Sequence, residues 1–144
     1  MHEIFTRLAR WEHDQEVIRD IRQTVFVVEQ SVDPELEWDG EDANCVHALA
    51  GITNQIVATG RLQQDGKIGR MAVLPESRGR GLGAAILGKL IEAARDIGLT
   101  DVYLHAQTHA LPFYERHGFV AEGAEFDEAG IPHRVMRRSL RGDP

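Results

Sequence analysis

Apolar positions along this chain recur with two different periods, and the switches between them predict the order of elements. Residues 14–30 place Val17, Ile18, Ile21, Val25 and Val28 at helical spacing, with Asp14 as the expected N-cap and a break before Ser31. A second helical pattern, Leu82, Ile86, Leu90, Ala94 and Ile97, ends at Gly98, a residue suited to the left-handed position that closes a helix. Between them, residues 46–52 and 55–62 read as strands joined across Thr53-Asn54, and residues 67–74 as a third strand after the Asp65-Gly66 turn. Residues 4–8 are expected to open the chain with a strand. Residues 101–106 form a further short strand, 108–117 a short helix closed by Gly118, and 119–121 and 133–140 the last strands. Pro112 is compatible with that helix, because the first N–H groups of a helix lack intrahelical partners anyway. Residues 32–44 hold Pro34 and six acidic side chains and are expected to be an exposed loop. The predicted order, β-α-β-β-β-α-β-α-β-β, is that of a mixed α/β fold.

Length and charge narrow the function classes. The 144 residues fit one domain spanning residues 1–144, with no repeat, low-complexity tract or linker. With 42% hydrophobic and 27% charged residues, the composition is that of a globular chain. A net charge of −7 disfavours nucleic acid and anionic membrane as partners. No run approaches the roughly 20 apolar residues of a membrane span, and no signal peptide is visible. The lone Cys45 excludes an internal disulfide and fits a reducing compartment, so the expected location is cytoplasmic. Charge is unevenly spread. Residues 11–44 hold eleven acidic side chains against two arginines, whereas residues 66–95 hold six basic against two acidic. A small positive zone in an acidic chain suits a multiply charged small ligand.

That zone contains Arg78-Gly79-Arg80-Gly81-Leu82-Gly83, placed where a strand passes into a helix. N–H groups at a helix start are unsatisfied and the helix dipole adds partial positive charge, so an anion is favoured there. Glycines let a bulky phosphate approach, and Arg78 and Arg80 add forked donors. The same residues also suit a plain strand-to-helix turn with solvated arginines. A P-loop is excluded: Gly83 to Lys89 matches its first seven positions, but Leu90 stands where a magnesium-binding Ser or Thr is required. The dinucleotide fingerprint fails for want of its third glycine. Cys45 and His47 lack further ligands at metal spacing, and His105 and His109 straddle an element boundary, so no metal is expected.

The pattern R-x-x-G-x-G at Arg78, Gly81 and Gly83 resembles the central motif of the GNAT superfamily of acyl-CoA-dependent N-acyltransferases. Downstream, Ala110-Leu111-Pro112-Phe113-Tyr114-Glu115-Arg116-His117-Gly118-Phe119 is similar to that family's A-x-x-x-Y-x-x-x-G-F. The resemblance implies a mostly antiparallel central sheet with splayed middle strands and flanking helices. It implies acetyl-CoA as co-substrate, bound by main-chain groups of a bulged strand at Met71, Ala72 and Val73. The pyrophosphate would lie on Arg78, Gly79, Arg80, Gly81, Leu82 and Gly83, with Gln107 where many members place a cofactor-binding Asn.

By the same resemblance Tyr114 is the acid that protonates the departing thiolate, a role suited to a group that stays protonated at neutral pH. Gly130-Ile131-Pro132-His133 resembles a subgroup that includes glyphosate-type acetyltransferases, which makes His133 the favoured base, with Glu29, His105 and a water relay as alternatives. The acceptor pocket would be lined by Arg22, Phe26, Glu29, Arg70, His105 and His133. Arg22 and Arg70 are expected to be able to seat a carboxylate. Positions that bear substrate-binding arginines in glyphosate-type enzymes hold Val27 and Gln107. The implied activity is direct acetyl transfer to a primary amine of a small, amino-acid-like or polyamine molecule, in a family whose members are often homodimers. A non-catalytic acyl-CoA-binding sensor or interaction module is the alternative that the same motifs allow.

Overall fold

A computed structural model of the chain describes residues 3–142. Seven strands form one sheet in the order β1-β2-β3-β4-β5-β7-β6. They are β1 (Ile4–Leu8), β2 (Val46–Ile52), β3 (Gln55–Leu62), β4 (Lys67–Val73), β5 (Asp101–Gln107), β6 (Val120–Glu128) and β7 (Ile131–Ser139). The helices are α1 (Trp11–Arg22), α2 (Pro34–Glu37), α3 (Leu82–Asp96) and α4 (Leu111–Glu115). Neighbouring strands are antiparallel except β4 and β5, which run parallel and pair only at Lys67↔Tyr103 and Ile68↔Leu104. Beyond Ile68 the two strands part. This is the expected splayed mixed sheet.

Alternation on β4 sorts the core into two layers. Met71 and Val73 pack with the α3 cluster of Ile86, Leu87 and Leu90, whereas Ala72 joins Ile21 and Val25 of the α1 layer. A bulge lies between Thr59↔Ala72 and Arg61↔Gly69, where β4 has one residue more than β3. Arg70 takes up the extra residue at φ +50°. Opposite it, Gly60 has no room for a side chain: a Cβ there would lie 2.6 Å from Ile86 Cγ2 and 3.0 Å from Leu90 Cδ1.

Three expectations need correction. α1 begins at Trp11, so Asp14 is not the N-cap; from inside the first turns its carboxylate accepts the Arg10 N–H at 2.8 Å and pairs with Arg7 at 2.9 Å. α1 also runs on through a π-helical stretch, Gln23–Glu29. Residues 32–44 are largely exposed, as expected, but they are not a plain solvated loop. They contain α2 and a 3-10 turn (Asp42–Asn44), and Glu37 and Asp42 are buried. Finally, β6 runs to Glu128 rather than ending at residue 121, and a two-residue turn, Ala129-Gly130, returns the chain into β7. Both turn residues have positive φ, +54° and +77°, as a type I′ hairpin requires.

Candidate active site

The parting of β4 and β5 opens a cleft of about 1070 Å³, bounded by the π-helical stretch, β4, β5, α4 and the β6–β7 turn. Just past the end of β4, the Leu74 N–H donates to Val57 C=O at 2.9 Å, so Leu74 faces β3. By strand alternation Ala72 faces β3 as well, while the main-chain groups of Met71 and Val73 turn toward the gap that β5 has left. Of the three residues expected to offer main-chain partners, Ala72 is therefore turned away.

The glycine turn follows. Gly79 and Gly81 have φ of +79° and +81°, which a side chain would strain. The first intrahelical bond of α3 runs from Ala85 N–H to Gly81 C=O at 3.1 Å, which leaves the N–H groups of Leu82, Gly83 and Ala84 at the helix start outside the helical ladder. Arg78 lines the cleft. Its Nε donates to Val73 C=O at 3.1 Å and its Nη1 to Glu29 Oε2 at 2.7 Å, so two expected site residues hold each other across the cleft. Arg80 is exposed.

Tyr114, on α4, lies in the cleft with its hydroxyl 3.7 Å from Met71 Sδ, a weak acceptor. Burial pushes its phenol up to about 12, so it remains protonated at neutral pH. Gln107 donates to Gln30 Oε1 at 3.0 Å, tying the end of β5 to the end of the π-helical stretch.

The far wall is built by cross-strand register. Gln107 pairs with His133 and Phe126 with His133, and His105 lies two residues from Gln107, so these side chains share one face. His105 Nδ1 is 2.8 Å from Glu128 Oε1, and His133 Nε2 is 3.7 Å from Glu128 Oε2. Burial raises the Glu128 carboxyl, but the hydrogen bond from His105 and the charges of His105, Lys67 and His133 outweigh it and hold the group below the usual carboxylate range. Sequence reasoning missed Glu128. The signal available was its place at the end of a strand, just before a two-residue turn and the Pro132-His133 pair.

Arg22 does not line the cleft. It is fully buried, donating to Glu37 Oε2 and Asp42 Oδ1 at 2.7 Å each and to Glu37 C=O at 3.0 Å, beneath the ring of Trp38. Arg61 extends the network to Asp39 and Asp42 at 2.7 and 2.9 Å. Arg70 does line the cleft, but it donates to Leu36 C=O at 3.1 Å and lies 3.3 Å from Asp39 and Glu37. A carboxylate substrate would have to compete with those acceptors. Phe26 lies on the cleft wall as expected, and so does Glu29, though paired.

Residues 12–140 match the Acetyltransferase (GNAT) domain family. The chain belongs to it. Among relatives, Bacillus subtilis YyaT is 39% identical over 126 residues, covering 83% of this chain and 85% of YyaT. The Bacillus subtilis N-acetyltransferase YjcF is 37% identical over 132 residues, 87% of this chain and 94% of YjcF. An acyl-CoA N-acyltransferase from Pseudomonas aeruginosa superposes with a TM-score of 0.79 at 32% identity, over 96% of this chain and all of that one. Escherichia coli ElaA does so at 0.83 and 29%, over 94% and 99% of the two chains. This GNAT chain is accordingly an acetyltransferase. Among its described residues, no helix is long and apolar enough to cross a membrane.

Proposed function

We propose that this GNAT enzyme transfers an acetyl group from acetyl-CoA to a primary amine of a small molecule within one ternary complex. One observation carries the reading: the cleft joins a strand edge, where the main-chain groups of Met71 and Val73 turn toward the gap between β4 and β5, to a wall bearing His105, Glu128 and His133. The first suits an extended amide-bearing arm, the second an amine. The helix-start N–H groups of Leu82 and Gly83, with Arg78 and Arg80, suit the pyrophosphate. The co-substrate supplies an activated acyl group, and the chain's own residues supply the rest.

His133 takes a proton from the acceptor nitrogen, and the Tyr114 hydroxyl donates toward the sulfur that leaves. Met71 and Val73 orient the acyl arm along β4 by strand-like pairing. One acceptor amine and the co-substrate held together in one cleft make transfer direct, with no residue in the cleft required to carry the acyl group. Thiol release from acetyl-CoA, screened over amines, amino acids, polyamines and peptides, tests the activity. Tyr114→Phe should lower kcat by about 10²-fold or more while leaving the KM for acetyl-CoA unchanged. Unchanged kcat removes Tyr114 as the acid.

A further inference from the structure

The β6–β7 turn does two things at once. With Ala129 and Gly130 both at positive φ, Glu128 and Ile131 are fixed opposite each other, one presenting a carboxylate and the other a carbonyl. The Ile131 carbonyl lies 2.7 Å from His133 Nδ1. A carbonyl only accepts, so Nδ1 carries the proton and a neutral His133 has its lone pair on Nε2. That nitrogen is 3.7 Å from Glu128 Oε2, too far for a hydrogen bond. The other carboxylate oxygen accepts from His105 Nδ1–H at 2.8 Å, which fixes how Glu128 is turned. Phe126 packs against both imidazoles, edge-on to His105 at 5.1 Å and stacked on His133 at 6.0 Å. Two acceptors, Glu128 Oε2 and His133 Nε2, therefore face each other at the cleft wall, and among the described residues neither has a hydrogen-bond donor. The His133 side chain is only 8% exposed and cannot turn away freely.

Two facing acceptors, one of them anionic, call for a cation with at least two N–H bonds. A primary ammonium has three, whereas a hydroxyl or thiol offers one donor and no charge. Resting on the acetyl-transfer reading, we propose that Glu128 Oε2 and His133 Nε2 form a cradle that seats the acceptor as its ammonium ion, with His105 as the residue that positions Glu128. His133 Nε2 takes one ammonium proton, and Glu128 stabilises the imidazolium that results. The freed nitrogen lone pair then forms the N–C bond to the acyl carbon while the C–S bond breaks and its electron pair leaves with sulfur. Sulfur takes a proton from Tyr114, the nitrogen gives up its second proton to restore the phenol, and His133 releases its proton to water. The balance is one ammonium and one thioester converted to one amide, one thiol and one proton.

The test is steady-state thiol release by the full chain and its variants, with n-propylamine, ethanolamine and putrescine as probe acceptors. Acetyl-CoA affinity is measured alongside by calorimetry. Glu128→Gln should raise the amine KM at least tenfold with acetyl-CoA affinity within twofold of wild type, Glu128→Asp should recover part of the loss, and His105→Asn should show a smaller rise in amine KM. Complete loss of turnover in Glu128→Gln with intact acetyl-CoA binding and partial recovery in Glu128→Asp also supports the cradle. An amine KM within twofold in Glu128→Gln overturns the cradle and leaves the acetyltransferase reading standing. Loss of acetyl-CoA binding together with turnover in Glu128→Gln overturns it in favour of a structural role. If the wild-type chain binds acetyl-CoA but none of the amines releases thiol, the amine-transfer reading itself fails, and the cradle with it.

Discussion

Replacing Arg22 with Met distinguishes a substrate contact from a buried strut. The guanidinium is fully buried and makes three hydrogen bonds, two to carboxylates and one to the Glu37 carbonyl. Methionine fills much of the volume but leaves Glu37 and Asp42 buried beside less positive charge. Breaking a buried pair by removing one partner costs about 3–5 kcal/mol. Arg61 still reaches Asp42 at 2.9 Å and Arg70 lies 3.3 Å from Glu37, so the lower half of that range is expected. Burial already pushes the Glu37 carboxyl above the usual range even with Arg22 present, and losing the guanidinium pushes it further in the same direction, which softens the loss. With a urea m-value of about 2 kcal/mol/M, a loss of about 3 kcal/mol moves the unfolding midpoint down by about 1.5 M. Amine KM should change little in the folded fraction. Arg22→Met,Glu37→Gln, which removes the most buried orphaned charge, should recover part of the midpoint. A midpoint within about 0.3 M of wild type, combined with a tenfold rise in amine KM, would refute this account and return Arg22 to the acceptor.

Three further outcomes follow from the geometry. Gly60→Ala should cost about 1–3 kcal/mol in thermal or urea unfolding, because its Cβ would lie 2.6 Å from Ile86 and the bulge and α3 would have to shift; a neutral effect would mean that the β4 bulge is not clamped by α3. Glu29→Gln should release Arg78 and tighten CoA binding by less than about fivefold in calorimetry, since the pair is exposed and weak; weaker binding would show that Glu29 assists the co-substrate. Asp14 is held at about 2, chiefly by the hydrogen bond from Arg7. Its folded value lies below the unfolded one of about 3.9, so its contribution is fully present above that pH and is lost as pH falls through 2. Asp14→Asn should therefore be destabilised by about 1 kcal/mol at pH 7 and match wild type near pH 1 in urea titrations; a gap that persists undiminished at pH 1 would assign the loss to packing instead.

Strong hydrophobic periods made the fold legible. The stripes of α1 and α3 and the three strands between them need no partner to be recognised, and β2, β3 and α3 begin where the pattern changes. β6 was foreshortened because Glu122-Gly123-Ala124-Glu125 lies on an exposed edge strand with a register shift between Glu122 and Phe126, so no alternation survives to be read. Asp14 was misplaced because a carboxylate inside the first turns can serve the N-cap N–H as well as one at the cap itself can. Arg22 carried a usable signal. It falls within the buried stripe Ile18, Ile21, Val25, and a charge there demands a buried counter-charge, which the acidic residues 33–42 supply.

That pairing changes what the acidic segment does. Glu37, Asp39 and Asp42 are neutralised by Arg22, Arg61 and Arg70, so they do not form a long-range field that would gather cations at the cleft. They fix one wall of it instead, and recognition of a cation has to be local. Glu128 meets that requirement: it lines the cleft, its hydrogen-bond partner is the His105 imidazole rather than an arginine fork, and it is 43% exposed at the side chain. If electrostatic steering by the acidic segment dominated, raising salt from 0.05 to 0.5 M would cut kcat/KM for a doubly charged amine far more than for a singly charged one. Recognition by a single short-range carboxylate predicts nearly parallel declines for putrescine and n-propylamine. Only the parallel result is compatible with a cleft wall whose Glu37, Asp39 and Asp42 are already paired with Arg22, Arg61 and Arg70.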